Sequence, residues 1–218
     1  MTSKEIKMAK SNTEKLTRTF DCEMRAETNA TGEAVIVGRP VVFNRETVIG
    51  GMFREVIKNG ALDGADLSDV LLLVNHNDDR IPLARSRASK KTMSLTVDSE
   101  GLEIEAVLDI ENNPDARAVY SSIKRGDISG MSFAFRVASD GDMWQDNYND
   151  NVLPLRVITS IKAVHEVSIV NNPAYKDTSV IARSEREHLE TIREQMESRN
   201  KAELELEKLK TLAVYGMV

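Results

Sequence analysis

The sequence predicts a mainly β chain with few helices, an α+β protein built as a closed or nearly closed β-barrel followed by a long C-terminal helix. Three observations predict it. Roughly six or seven short segments alternate or run apolar at strand length. One short helical stripe interrupts them. From Ser184 onward no Gly or Pro occurs until Gly216, while apolar residues fall at helical spacing. Closure is expected because it removes unpaired strand edges.

The elements follow in order. Residues 1–15 carry no apolar periodicity and are expected to be disordered. Phe20, Cys22, Met24 and Ala26 alternate with Asp21, Glu23 and Arg25 as a half-buried strand does, which places Cys22 in the core. A turn signal at 29–32 leads into a strand over 34–43, and 70–74 is a continuous apolar run suited to a strand buried on both faces. Met93, Leu95 and Val97, a turn at 98–101, then Leu102, Ile104, Ala106 and Leu108 read as a hairpin. Asn113 before Pro114 has the form of a helix cap, and Ala116, Val119, Tyr120 and Ile123 supply the apolar stripe of a helix ending near Gly126. Strands are expected over 131–137, 153–158 and 163–170; the polar stretch 140–151 separates the first two, and Asn172 and Pro173 end the last. In the C-terminal helix Leu189, Ile192 and Met196 form one stripe and Ala202, Leu206, Leu209 and Ala213 another. The phase shift between them argues against one unbroken coiled-coil seam and leaves docking on the barrel and docking on a partner equally open.

A chain of 218 residues, 41% apolar, can build one packed core with an appendage left over. The expected division is a disordered segment 1–15, a β-barrel domain 16–183 and a helical extension 184–218. The net charge of −6 argues against a phosphate-binding surface, so nucleic acid is not an expected partner. No run approaches the ~20 apolar residues of a membrane helix, and the N-terminal stretch lacks the apolar centre of a signal peptide. No membrane partner is expected, and the chain should stay in the cytoplasm where it is made. The single cysteine excludes an intramolecular disulfide and a cysteine-built zinc cage. The alternating charges of the C-terminal helix read as a solvated face.

Each of the three histidines can be weighed. His188 lies on the charged helix and His165 in a strand. His76 follows the buried run 70–74, where a rigid strand holds it while its near-neutral pKa suits a general base. The plain alternative is a loop histidine bonded to Asp78. Ser132 sits in Gly130-Met131-Ser132-Phe133-Ala134, where glycine allows close substrate approach and an apolar strand fixes the serine. The second glycine of the hydrolase elbow is missing, and on composition Ser129 competes as nucleophile. Glu166 lies in an apolar strand, where an ionisable group is costly unless paired or solvated at an edge. Because strand neighbours point to opposite faces, either His165 or Glu166 can face a site near His76, but not both.

Phe53-Arg54-Glu55, Asn59-Gly60-Ala61, residues 70–77, residues 126–135 and the run Glu166-Val167-Ser168-Ile169-Val170-Asn171-Asn172-Pro173-Ala174 occur in order across roughly residues 18–183. Together they resemble the tailed-phage prohead (capsid maturation) serine protease family, which is related in fold to the herpesvirus maturation proteases, with a Ser-His-His triad on a β-barrel surrounded by helices. The resemblance implies a herpesvirus-protease-like barrel, Ser132 as nucleophile, His76 as base and Glu166 as the acid that orients it. It favours Ser132 over Ser129 and Glu166 over His165, which stays a second choice because the herpesvirus branch uses histidine there. It points to the backbone at Ala174 and Tyr175 for oxyanion donors. It further implies acyl transfer without metal or organic cofactor. The implied substrates are the scaffolding part of the major capsid protein and the protease itself, cut inside the immature prohead in the host bacterial cytoplasm, with a homodimer possible. A catalytically inactive barrel serving as capsid scaffold is the alternative. A small-molecule esterase is opposed by the lack of a parallel α/β pattern.

Overall fold

The computed structural model describes residues 5–6, 14–22, 24–87, 89–145, 153–171 and 183–214. Their strands form three sheets. The first runs β1 (Glu5–Ile6), β12 (Asp142–Gln145), β13 (Leu155–Ile158), β6 (Phe53–Ile57), β5 (Thr47–Ile49). The second runs β3 (Met24–Thr28), β4 (Ala34–Val42), β10 (Gly101–Leu108), β9 (Met93–Val97). The third runs β2 (Leu16–Asp21), β11 (Gly130–Val137), β14 (Ile161–Val170), β7 (Leu71–Val74), β8 (Ala84–Arg85). Pairings are antiparallel except β13 with β6 and β14 with β7. The architecture is mixed α+β, mostly sheet. Among the described residues the strands do not close into the single barrel expected from their number. Strand count says that edges need partners; it does not say which strands become neighbours.

The predicted hairpin is β9 and β10, with Leu102 opposite Val97 and Ala106 opposite Met93. Its turn is tied by Asp98, whose carboxylate accepts the Glu100 and Gly101 N–H groups. Gly101 is required there: a Cβ would stand 1.9 Å from the Val41 carbonyl oxygen. The helix α1 (Pro114–Lys124) begins at Asn113, whose side chain accepts from the Asp115 and Ala116 N–H groups. It buries the four predicted apolar residues, Ala116, Val119, Tyr120 and Ile123.

Two readings change. The alternation from Phe20 to Ala26 belongs to two strands: β2 pairs with β11 and β3 with β4, in different sheets. An apolar alternation that keeps its phase through a break conceals the break. Cys22, between them, is half-buried and packs against the core. The polar stretch 140–151 contains β12, which pairs with β13 and, at its other edge, with Glu5 and Ile6. Most of residues 1–15 lie outside the described residues.

One large core joins side chains of the second and third sheets with α1, including Ile36, Ile104, Phe133, Phe135, Leu72 and Val167. Phe133 stacks on Phe135 with ring centroids 4.5 Å apart. A smaller cluster joins Ile49, Phe53 and Trp144 of the first sheet to Ile192 and Leu189 of the helix α2 (Arg183–Val214). Beyond that cluster Leu204, Leu206 and Leu209 of α2 are each more than half exposed.

Candidate functional site

The third sheet positions the candidate residues. Along β11, Met131, Phe133 and Phe135 enter the main core, so Ser132 and Ala134 point to the opposite face. In register, Ser132 stands between Thr19 of β2 and Ser168 of β14, and Ala134 stands opposite Glu166. Thr19, Ser132, Ser168 and Glu166 thus share one face. Glu166 is 3% exposed on a strand flanked by β11 and β7, which rules out a solvated edge position.

The chain leaves β7 through Asn75 and His76, both in the left-handed region with φ of 51° and 58°. Two such non-glycine residues in succession are strained and persist only where surrounding bonds impose them. Four bonds do so here. Asn75 N–H donates to the Ile169 carbonyl, the Asn75 side-chain oxygen accepts from Asn171 N–H, His76 N–H donates to Ser168 Oγ, and Asn77 N–H donates to the Val74 carbonyl. The turn brings His76 Nδ1 to 2.5 Å from Glu166 Oε1 with the imidazole partly exposed. A carboxylate can only accept, so Nδ1 carries the hydrogen and the lone pair falls on Nε2. The other Glu166 oxygen, Oε2, accepts from Ser168 Oγ at 2.7 Å.

Ser132 is fully buried. Its hydroxyl donates to the Arg18 carbonyl at 2.8 Å and accepts from Thr19 Oγ1 at 3.1 Å. Ser129 is exposed, in the turn that precedes β11. His165 falls at an irregularity in the β11–β14 register, where Ala134 pairs with Glu166 and Phe135 with Val164, leaving His165 opposite no residue of β11. Its Nε2 is buried without a hydrogen-bond partner among the described residues. Burial, then the Arg136 and Lys15 charges, lower its pKa below the ordinary 6.5. His76 thus meets Glu166, and His165 is held apart. Ala174 and Tyr175 lie outside the described residues. Among the described residues no group of His, Cys, Asp or Glu is arranged to hold a metal ion, and no helix is long and apolar enough to cross a membrane.

Behind β2 lies an ionic cluster that the sequence reading did not foresee. Arg18 Nε and Nη2 meet the two Glu55 oxygens at 2.6 and 2.8 Å, and Nη2 meets Glu185 Oε1 at 2.5 Å. Arg156 bonds Glu55 at 3.3 Å, Asp142 at 2.7 Å, and Glu185. Both arginines and both glutamates are at most 3% exposed. Burial opposes the charge on Arg18, but the Glu55 and Glu185 carboxylates outweigh it and raise the pKa. Glu55 is lowered despite its burial by the same arginines. His188, one turn beyond Glu185, is buried against Trp144 at 4.7 Å. The start of α2 is therefore not the solvated face that its alternating charges imply, because buried charges pair across sheets and leave no trace in local patterning. Ser168, also overlooked, did have a signal: two positions from Glu166 on a strand, it must share the Glu166 face.

No solved structure matches the chain. The prohead protease of Enterobacteria phage HK97 is 25% identical over 168 residues, covering 74% of this chain and 65% of that protein. The chain thus spans less than two thirds of the length of the curated relative it matches. The caudovirus prohead serine protease family model matches residues 20–193, from the edge strand beside Ser132 to the docked turns of α2. With the match extending over most of its length, the chain belongs to the caudovirus prohead serine protease family.

Proposed function

We propose that this protein is a serine endopeptidase that matures a tailed-phage prohead, cleaving the scaffolding part of the major capsid protein and itself inside the immature shell. The observation that carries the reading is the His76 Nδ1 contact with buried Glu166, on the sheet face that also bears Ser132. Ser132 Oγ attacks the scissile carbonyl and its proton passes to His76 Nε2. The C–N bond then breaks as that proton is delivered to the departing amine, and water repeats the sequence to release the acyl group. Glu166 holds the imidazole tautomer and stabilises the imidazolium. Ser132 must first turn its hydroxyl away from the Arg18 carbonyl. Ala174 and Tyr175 are proposed as backbone oxyanion donors, and Ser129 and His165 remain the alternates. The core shared by the second and third sheets supports an open relative of the herpesvirus-protease-like barrel. The division at residues 15 and 183, the host-cytoplasmic prohead location, self-association and freedom from metals, cofactors, nucleic acid and membrane belong to the same proposal.

A second reading, an inactive barrel acting as capsid scaffold, is favoured by the full burial of Ser132. Co-expression of the capsid protein with wild type, Ser132→Ala and Ser129→Ala, followed by intact mass of both chains, decides between them. Trimming lost only in Ser132→Ala supports the protease. Untrimmed capsid protein in all three supports the scaffold.

A further inference from the structure

We infer that Ser168 is a positioning residue that locks the base and its orienting acid together, an inference that rests on the proposed roles of His76, Glu166 and Ser132. Its hydroxyl sits at the junction of the two groups. It donates to Glu166 Oε2 at 2.7 Å and accepts the His76 backbone N–H at 3.1 Å. Ser168 is fully buried, and a hydroxyl with one hydrogen can satisfy both partners only in this donor and acceptor arrangement. It thereby fixes which carboxylate oxygen faces the imidazole. It also holds the left-handed backbone of His76, φ 58°, against relaxation into an ordinary conformation. Ser168 stands directly opposite Ser132 in the β11–β14 register, so one strand pair spaces nucleophile and acid, and the Ser168 bond to the His76 N–H ties the base to that pair. An apolar residue here would leave the His76 N–H and one Glu166 oxygen without their partner, and the strained turn would have one restraint fewer.

The test is fluorophosphonate labelling of the full chain, followed by intact mass, with the rate measured from pH 5 to 9. Wild type, Ser168→Ala, Ser168→Thr, Ser168→Cys and Ser132→Ala are compared, with thermal unfolding of each. Ser168→Ala should label about 10- to 100-fold more slowly, by analogy with the loss when the partner that orients a metal-ligating side chain is removed. Its acid limb should move to higher pH. Without the donated hydrogen bond the carboxylate offers more of its charge to the imidazolium formed during the reaction. Ser168→Thr, which keeps the hydroxyl, should recover most of the rate. If Ser168→Ala does not fold, Ser168→Cys, close in volume with a weak donor, carries the same expectation. Labelling at the wild-type rate and pH midpoint in folded Ala or Cys variants overturns the inference while the protease reading stands. A slower rate with an unmoved acid limb and no recovery in Ser168→Thr also overturns it, leaving a purely structural serine. Failure of wild type to label, or undiminished labelling of Ser132→Ala, removes the protease reading and this inference with it.

Discussion

Replacing Glu185 with alanine tests whether the first turn of α2 is held by charge. The carboxylate meets both Arg18 and Arg156, and all three groups are essentially excluded from solvent. Without it, Arg18 keeps the Glu55 carboxylate and the Thr17 carbonyl, and Arg156 keeps Glu55 at 3.3 Å and Asp142 at 2.7 Å. Removing one partner of a buried ion pair costs about 3–5 kcal/mol, chiefly because the remaining charge stays buried. Here two carboxylates still face the two guanidiniums, so the lower end, about 3 kcal/mol, is expected. For a chain of this size that corresponds to a Tm decrease of roughly 6–12 °C. Urea unfolding of the full chain should show the loss as a lower midpoint at an unchanged slope. Glu185→Gln, which keeps the shape and one hydrogen-bond acceptor, should lose less. A change within about 0.5 kcal/mol, as for an exposed residue, would refute the argument that this network anchors the helix.

Other outcomes follow from the same geometry. Glu166→Gln should lower capsid-protein cleavage by on the order of 10³–10⁴-fold with little change in stability, since the amide imposes the wrong imidazole tautomer; time-resolved gel analysis of the co-expressed substrate reads it, and near-wild-type cleavage would remove Glu166 from its role. His188 has its pKa lowered below 6.5, by burial first and then by Arg156. The unfolded chain therefore binds a proton that the folded chain refuses, and stability present above about pH 6.5 should be lost as pH falls through and below that value. His165 adds to the same slope. Urea midpoints between pH 7.5 and 5.5 in wild type and His188→Gln measure it, and equal slopes would show that His188 does not contribute. Gly101→Ala forces a Cβ to 1.9 Å from backbone oxygen, whereas at Gly38 the new atom meets the movable end of Met131 at 2.6 Å. Gly101→Ala should therefore cost more than the usual 1–3 kcal/mol of overpacking and Gly38→Ala less than that, by thermal unfolding.

Much of this protein was legible locally. The hairpin of β9 and β10, the capped helix α1 and the strands carrying Ser132 and Glu166 follow from alternation, turn residues and caps, all of which act over a few residues. The sequence also narrowed the site to His76, two serines and two neighbours on one strand, because few residue types can carry a proton at neutral pH. Alternation alone required that only one of His165 and Glu166 face His76. What it left open was decided by pairing between distant strands. The β11–β14 register sets Ser132 opposite Ser168, and the parallel entry of β7 brings the strained turn of His76 to Glu166 and not to His165. The cluster of Arg18, Glu55, Arg156 and Glu185 comes from four elements separated by up to 167 positions. Such burial of charge has no local signature, since each residue reads as surface until its partners arrive from elsewhere in the chain.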